Sequence, residues 1–565
     1  MKKNLLSVLL ILAMMLSLFV GCGGDTASEA PAAESVTAEA SVEAPAEEPA
    51  PEEAAPVEEE ASVPAEEAPV EDARQPIEYP LVDEPTTLTY WQAWPPFLNE
   101  ISAPQDAAMF AQLEEATGVK LEITAVSTET SADDFMLRCA SGDLTDMIQK
   151  GHQNYTGGGA KAIEDEVLLD LLPLLEEYSY NYYNIMMNDP NVYRNLVNDE
   201  GQVPALIGMY TDPYYTDQGF WIRKDILDAV GKEIPTTIAE LDDVLAAFKD
   251  HGLTDGLVVL SGGSCDLLSR AYDAGDKLVD GVFTPMGTSD NAKEYLLKMR
   301  EYYEKGYINV DFVTYNWSDT KPPQEVIYND MGGIFNEDVA SIAGYYMTTT
   351  NPDFEVAALG QIRKEEGQVL DTGFIPVLAA DKYSLSLSTQ CSDPGLCIQY
   401  MDYLFSDEGF MLANYGTEGM TYTMVDGEPQ FTDLILANEQ GFDWQLCQSL
   451  YINPGFPCLT DLAAQEMTYN EAQKAAVPTW VEAYDSCDAT TPNANWLSYT
   501  TEESEARAEV QTDIETYQEE MRLKFITGQA DIEAEWDTYC QTLEDMGIAV
   551  LNDTQAAAIE RYLNK

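Results

Sequence analysis

Between residues 88 and 148 the chain alternates short β-prone runs with helix-patterned ones, and this alternation restricts the possible fold more than any other feature. LTYWQAW (88–94) reads as a strand. A helix is expected from about Asp106, with Met109, Phe110, Leu113 and Ala116 on one face and Thr117-Gly118 at its end. VKLEITAV (119–126) sets Val119, Leu121 and Ile123 against Lys120, Glu122 and Thr124, the period of a half-buried strand. DDFMLRCASGDLTDMIQK supplies a further helix, broken at Ser141-Gly142-Asp143, and a strand at Asp146-Met147-Ile148. The order β-α-β-α-β predicts an α/β fold built on a mostly parallel sheet.

A second set follows in GFWIRKDILDAVGKEIPTTIAELDDVLAAFKD. It reads as a strand ending near Arg223, a helix to Val230, and a stop at Gly231. Thr237-Ile238-Ala239-Glu240 forms a capping box for a helix that turns Leu241, Val244, Leu245 and Phe248 inward. Further on come the helix AKEYLLKMREYYEKGYI, strands at GGIF (332–335) and FEVAALG, and a helix through QYMDYLFSDEGFMLANYG. The C-terminal part reads as helical through EMRLKFITGQ and AEWDTYCQTLEDMG.

The N-terminal residues differ from all of this. Lys2 and Lys3 precede an apolar stretch of 16 residues, Leu5 to Val20. That is short for a membrane span and suits the apolar region of a signal peptide, residues 1–21. Val20-Gly21-Cys22 resembles the lipobox of bacterial lipoproteins, with Leu18 one place early and Phe19 in its position. The resemblance implies lipidation of Cys22, whose acyl chains (palmitate and the like) hold the chain to a membrane. Residues 25–72 carry 16 acidic and no basic residues among Ala, Pro, Ser and Val. Such a segment buries too little apolar surface to offset its chain entropy, so 22–75 reads as a lipidated cysteine and a disordered tether.

About 490 residues remain, enough for two lobes with their own cores. The chain has 28 basic and 100 acidic residues, a net charge of −72. Without the signal and tether the balance is still 84 acidic to 26 basic, which excludes nucleic acid as a partner. Only His152 and His251 occur, so a histidine-ligated metal centre or a histidine-based hydrolase has almost no material. No cofactor or metal is expected. Besides Cys22 there are eight cysteines and no CxxC; disulfides among them are open, Cys447 with Cys458 or Cys487 being one option.

ASGDLTDMI, the WIRKD–AAFKD segment, MDYLFSDEGFMLANYGTEGMTYT and KFITGQADIEAEWDTYCQTLEDMGI, in that order, resemble family 1 of the extracellular solute-binding proteins. The resemblance is to its carbohydrate-linked branch, the lipoproteins of oligosaccharide ABC importers. It implies a two-lobed periplasmic-binding-protein fold, type II-like, with discontinuous lobes and a hinge. Carried onto this chain, one lobe holds 83–207 plus 362–412 and the other 208–361 plus 413–565. The hinge crossings fall near VPALIGM, near AALGQIRKE and just after FMLAN. The implied function is capture of a solute, an oligosaccharide, between the lobes and its delivery to the permease by a monomer on the outer face of the cell membrane. Two other classes fit the residues: an exported carbohydrate-active enzyme, which needs a carboxylate pair in the cleft, and a peptide-binding or adhesive surface lipoprotein.

Ligand contacts are expected in the loops beyond the strand ends. Sugars present apolar C–H faces rimmed by hydroxyls, which indole and phenol rings stack on while amides and carboxylates take the hydroxyls. Trp91 and Trp94 lie at the exit of the first strand, and His152 and Tyr155 in the loop GHQNYTGGG, which lacks the G-K-[ST] of a phosphate loop and a following amphipathic helix. Tyr214 and Tyr215 open the second lobe in TDPYYTDQGF. Asn336 and Glu337 follow GGIF, where related binders contact solute.

Overall fold

The computed structural model describes residues 74–94, 104–211, 218–253, 258–259, 267–279, 281–314, 321–370, 379–437, 444–485, 492 and 497–565. Cys22, the tether, Tyr214 and Tyr215 lie outside them. The strands are β1 (Thr86–Trp94), β2 (Val119–Ser127), β3 (Met147–Gln149), β4 (Leu206–Tyr210), β5 (Gln218–Arg223), β6 (Val258–Val259), β7 (Lys277–Val279) and β8 (Val282–Thr284). They continue with β9 (Ile334–Asp338), β10 (Val356–Leu359), β11 (Ala379–Leu387), β12 (Tyr422–Val425), β13 (Glu428–Phe431) and β14 (Leu459–Thr460).

Two sheets organise two lobes. The first has the order β14-β4-β11-β3-β1-β2 and the second β10-β5-β9-β6. β1 pairs in parallel with β2 from Thr86↔Val119 to Trp94↔Ser127, and with β3 through Tyr90↔Met147. Each sheet contains one strand that runs against its neighbours: β11 against β3 and β4, and β5 against β9 and β10. Each is the first strand laid down after the chain crosses from the other sheet: β5 on first entering the second sheet, β11 on returning to the first. They start at the end where the parallel strands finish.

The helices form where periodicity and caps agree. Helix Ala108–Thr117 buries Met109, Phe110 and Leu113 and ends at Gly118, whose φ of 77° a β-carbon disfavours. Helix Ile238–His251 begins with the expected capping box: Glu240 N–H donates to Thr237 Oγ1 (3.3 Å) and Thr237 N–H to Glu240 Oε2 (3.1 Å). Its Leu241, Val244, Leu245 and Phe248 enter the second core, with Ile222, Ile334 and Phe525. The first core gathers Leu88, Tyr90, Phe110, Leu206, Leu385 and Phe456 around the six-stranded sheet.

Three expectations are corrected. The stretch QYMDYLFSDEGFMLANYG is two helices, Pro394–Asp402 and Asp407–Tyr415, separated by a 3-10 turn. Asp402 turns its carboxylate to cap another helix, and Ser406 Oγ starts the next by accepting from Gly409 N–H (3.1 Å).

The lobe boundaries also differ. Residues 413–464 do not join the second lobe, because β14 pairs with β4 and Phe456 and Cys458 enter the first core. Asn414 fixes this return by donating to Leu459 O (2.8 Å) and accepting from Asp461 N–H (2.7 Å). Ile362, assigned by sequence to the first lobe, packs in the second core. The chain therefore passes between sheets after Tyr210, after Leu370 and between Thr460 and Glu471. The third passage lies well beyond FMLAN.

The last helix, Ile548–Asn564, contacts the opposite lobe. Arg561 pairs with Asp199 and with Glu503 (2.6 Å), Lys565 Nζ with Asp199 Oδ1 (2.8 Å), and Tyr562 donates to Asn195 (2.6 Å). The Asp199 side chain is only 3% exposed. Burial alone would raise its pKa, but hydrogen bonds from Lys565, Arg561 and Ser498 hold it below the usual carboxylate range. Among the described residues no helix is long and apolar enough to cross a membrane.

Candidate functional site

Parity along β1 separates the two indoles. Positions 91 and 94 differ by an odd number, so their side chains leave opposite faces of the sheet. Trp91 packs with Phe135, Ile148, Ala162 and Leu168, and its Nε1–H donates to Asp134 (2.8 Å). It is 1% exposed, so the expected ligand contact is corrected to a place in the core. Trp94 shares its face with Tyr90 and Gln92. It is 2% exposed, yet its Nε1–H has no partner.

That face is braced by a loop the sequence reading overlooked. Gln92 Nε2 donates to Pro454 O (2.7 Å) and Gln149 Nε2 to Gly455 O (3.3 Å), while Gln149 Oε1 accepts from Ala93 N–H (3.0 Å). Asn453, itself buried, folds the loop by accepting from Gly455 and Phe456 N–H (2.9 and 2.8 Å). Gly455 has φ 115°, and a β-carbon there would meet Gln149 Nε2 at 2.9 Å. N-P-G-F-P was legible as a turn; its partners on β1 and β3 were not, being some 300 residues away in sequence. Gln92 keeps Oε1 without a partner.

After β3 the chain turns at Lys150, with φ 53°, into the short helix Gly151–Asn154. A β-carbon at Gly151 would meet Ser386 at 3.0 Å, and His152 N–H donates to Ser386 Oγ (3.2 Å). The backbone at residues 151 and 152 is therefore held against β11. Burial, and then the charge of Lys150, pushes the imidazole pKa down to about 4, and Nδ1 lacks a partner. The ring is neutral near pH 7. Tyr155 is directed elsewhere: its hydroxyl donates to Asp165 (2.7 Å), and burial and that carboxylate push its pKa up to about 12. A short helix, Gly158–Glu164, begins within the glycines.

In the second lobe β9 ends in Asn336-Glu337-Asp338 beside the start of β5, Gln218↔Asp338. Asn336 Oδ1 is buried without a partner. Glu337 is committed within the lobe, accepting from Tyr345 Oη (2.8 Å) and Gln324 Nε2 (3.4 Å), and burial and the Asp338 charge raise its pKa. Trp480, also unrecognised in the sequence, stands edge-on to Trp221 (5.2 Å, 86°) and covers Gly219, where a β-carbon would meet its ring at 2.3 Å. Its Nε1–H has no partner. A separate cavity of about 330 Å³, bordered by Tyr295, Phe525 and Tyr539, lies wholly inside the second lobe. Among the described residues no His, Cys, Asp or Glu cluster suits a metal ion.

Among the described residues, buried side-chain atoms without a partner include Gln92 Oε1, Trp94 Nε1 and His152 Nδ1 on or just beyond the strands of one lobe, and Asn336 Oδ1 with Trp480 Nε1 beside it in the other; further ones, such as Tyr79 Oη, Arg194 Nε and Asn195 Nδ2, lie away from these places. Buried polar groups are nearly always paired, so a concentration of unpaired ones marks a place where a ligand can complete them.

Comparison with known proteins accords with this architecture. The family model for bacterial extracellular solute-binding proteins matches residues 99–409. Lipoprotein LipO of Bacillus subtilis is 24% identical over 356 residues, covering 59% of this chain and 67% of LipO. The polygalacturonan/rhamnogalacturonan-binding protein YtcQ of B. subtilis is 22% identical, covering 62% and 70%. FusA of Streptococcus pneumoniae, the substrate-binding protein of a fructooligosaccharide ABC transporter, is 26% identical, covering 43% and 48%. Among solved structures, the alginate-binding protein AlgQ2 superposes with a TM-score of 0.67 at 18% identity, covering 85% of this chain and 99% of AlgQ2. An ABC-transporter-associated solute-binding protein of Bifidobacterium longum infantis superposes at 0.69 and 16% identity, covering 85% and 99%. The family model spans more than half of the chain, and the chain belongs to the bacterial extracellular solute-binding protein family.

Proposed function

We propose that the protein is the substrate-binding lipoprotein of an ABC importer and that its solute is an oligosaccharide held between the lobes. The observation that carries this reading is that five of the buried polar atoms without a partner among the described residues, Gln92 Oε1, Trp94 Nε1, His152 Nδ1, Asn336 Oδ1 and Trp480 Nε1, are uncharged and lie on or beside the strands of the two lobes. Two are indole N–H donors and two are amide oxygens, with a neutral imidazole nitrogen as the fifth. A hydroxyl both donates and accepts, so a polyol can satisfy all of them. The strongly acidic surface also disfavours an anionic solute. Trp94, Asn336 and Trp480 would then take hydroxyls, His152 would accept one through Nδ1, and Tyr214 and Tyr215 would line the second lobe. Cys22 would carry the lipid, and the acidic segment would give the lobes reach from the membrane to the permease.

Melting curves with a panel of neutral oligosaccharides test this. A ligand raises stability by RT ln(1 + [L]/Kd), so a true ligand gives a saturable shift and is recovered unmodified. Trp94→Phe keeps the ring but removes the N–H and is expected to weaken binding about 5- to 20-fold, the value of one lost buried hydrogen bond. Saturable binding unaffected by Trp94→Phe, Asn336→Ala and His152→Ala together would overturn the site. Conversion of the glycan would overturn the binding role.

A further inference from the structure

One pair of cysteines is placed for a chemistry that solute capture does not use. Cys391 and Cys397 bring their sulfurs to 3.5 Å. They flank the turn Ser392-Asp393-Pro394-Gly395-Leu396, which leads from β11 into helix Pro394–Asp402. The turn is fixed on every side. Cys391 N–H donates to Ser388 O (3.0 Å), and Ser392 N–H to Asp146 Oδ1 (2.6 Å). Leu396 N–H donates to Asp393 Oδ1 (3.0 Å), and Pro394 sets the first helical residue. Gly395 lies under Tyr178, whose ring a β-carbon would meet at 2.9 Å. The two sulfurs are therefore held together by the backbone around them, and rotation of side chains by about 1.5 Å would bring them to bonding distance.

We propose that Cys391 and Cys397 are joined by a disulfide in the exported protein, formed by exchange with a disulfide oxidant outside the cytoplasm. An extracellular binding protein leaves the compartment whose thiol pool keeps cysteines reduced. Cys391 is half-buried and within reach of an oxidant, whereas Cys397 is fully buried. Cys391, deprotonated to solvent, attacks one sulfur of the oxidant and releases its first thiol. Cys397 gives up its proton and attacks Cys391 Sγ, expelling the second thiol. Two electrons and two protons pass to the oxidant, and one S–S bond replaces another. In the reduced pair the hydrogen bond with Cys391, and then burial, raise the Cys397 pKa. Asp146 and Asp393, the acids nearest the pair, act in the same direction.

The bond would lie at the end of the sheet opposite the strand ends that hold the unpaired polar atoms, since Asp146 precedes β3 and Cys391 follows β11. It should stabilise the first lobe without altering ligand affinity. The test uses the mature chain incubated with oxidised glutathione, unfolded without reductant in the presence of iodoacetamide, digested and weighed. The expected product is a peptide in which Cys391 and Cys397 are linked and neither is alkylated. A phosphine reductant should then lower the melting temperature by about 1–3 °C, and Cys391→Ala should abolish that response. Alkylation of both thiols, linkage of either to another cysteine, or glutathione left on Cys391 would each overturn the assignment. So would a reductant response that survives in Cys391→Ala. If the variant fails to fold, the peptide map of the wild-type chain decides alone.

Discussion

His152 shows how burial ties the charge of one residue to the stability of the fold. Its backbone is fastened to β11 and its imidazole is neutral because burial disfavours the cation. A histidine titrating near 6.5 in the unfolded chain and about 4 when folded makes the unfolded state the better proton binder between those values. Stability from this group is thus complete above pH 6.5 and lost as pH falls towards 4. The loss is on the order of 3 kcal/mol. His152→Gln, which cannot charge, is expected to flatten that part of the curve; equal slopes of melting temperature against pH in both proteins would refute it. The same scale explains what the sequence revealed of the site. Trp91 and Trp94 were both visible as aromatic residues at a strand exit, and their odd spacing already placed them on opposite faces. What could not be read was which face the helix at Asp134 would cover. Tyr155 likewise carries the right chemistry but spends its hydroxyl on Asp165, ten residues away, a pairing that no periodicity encodes.

Elements were the most legible level. Strands β1, β2 and β3 and the helices between them follow from alternation, glycine stops and caps, because those signals are local. The misread element, QYMDYLFSDEGFMLANYG, fails for a non-local reason. Asp402 is 1% exposed and accepts from Ser179 Oγ (2.5 Å), Asn181 N–H (3.0 Å) and Tyr182 N–H (2.9 Å), capping helix Asn181–Asn188 from more than 200 residues away. Asp402→Ala strands those donors in the core and is expected to cost about 3 kcal/mol in chemical denaturation. Asp402→Asn retains a carbonyl oxygen for them and should cost less. Equal costs would mean that the space occupied, rather than the hydrogen bonds, is what matters. β14 was missed for a similar reason. Two residues at a sheet edge carry no pattern of their own, and only pairing with β4 makes them a strand.

At the scale of the molecule, the two-lobed plan was expected but the third passage between lobes was misplaced, because Asn414-Tyr415-Gly416 ends a helix as a linker would. The structure uses Asn414 to draw the chain back to the first sheet instead. The C-terminal helix, which lies beyond the segments read as helical in the sequence, joins the lobes through a buried carboxylate with two cationic partners. Asp199→Asn leaves Lys565 without its acid and Arg561 with Glu503 alone. It is expected to lower stability by about 2–3 kcal/mol, read as a denaturant midpoint. The loss should exceed that of Lys224→Ala, whose pair with Asp228 is exposed. A difference no larger than that of the surface variant would show that the junction contributes little.

That junction has a mechanical meaning. When one rigid body turns against another, points near the axis hardly move and distant points sweep widely. A hydrogen bond tolerates only a few tenths of an ångström before it weakens. If the Asp199 contacts are kept in both the open and the closed protein, the pivot must pass close by them. The leverage available to a ligand then depends on its distance from that point, and a longer sugar reaching further out would turn the lobes with greater torque.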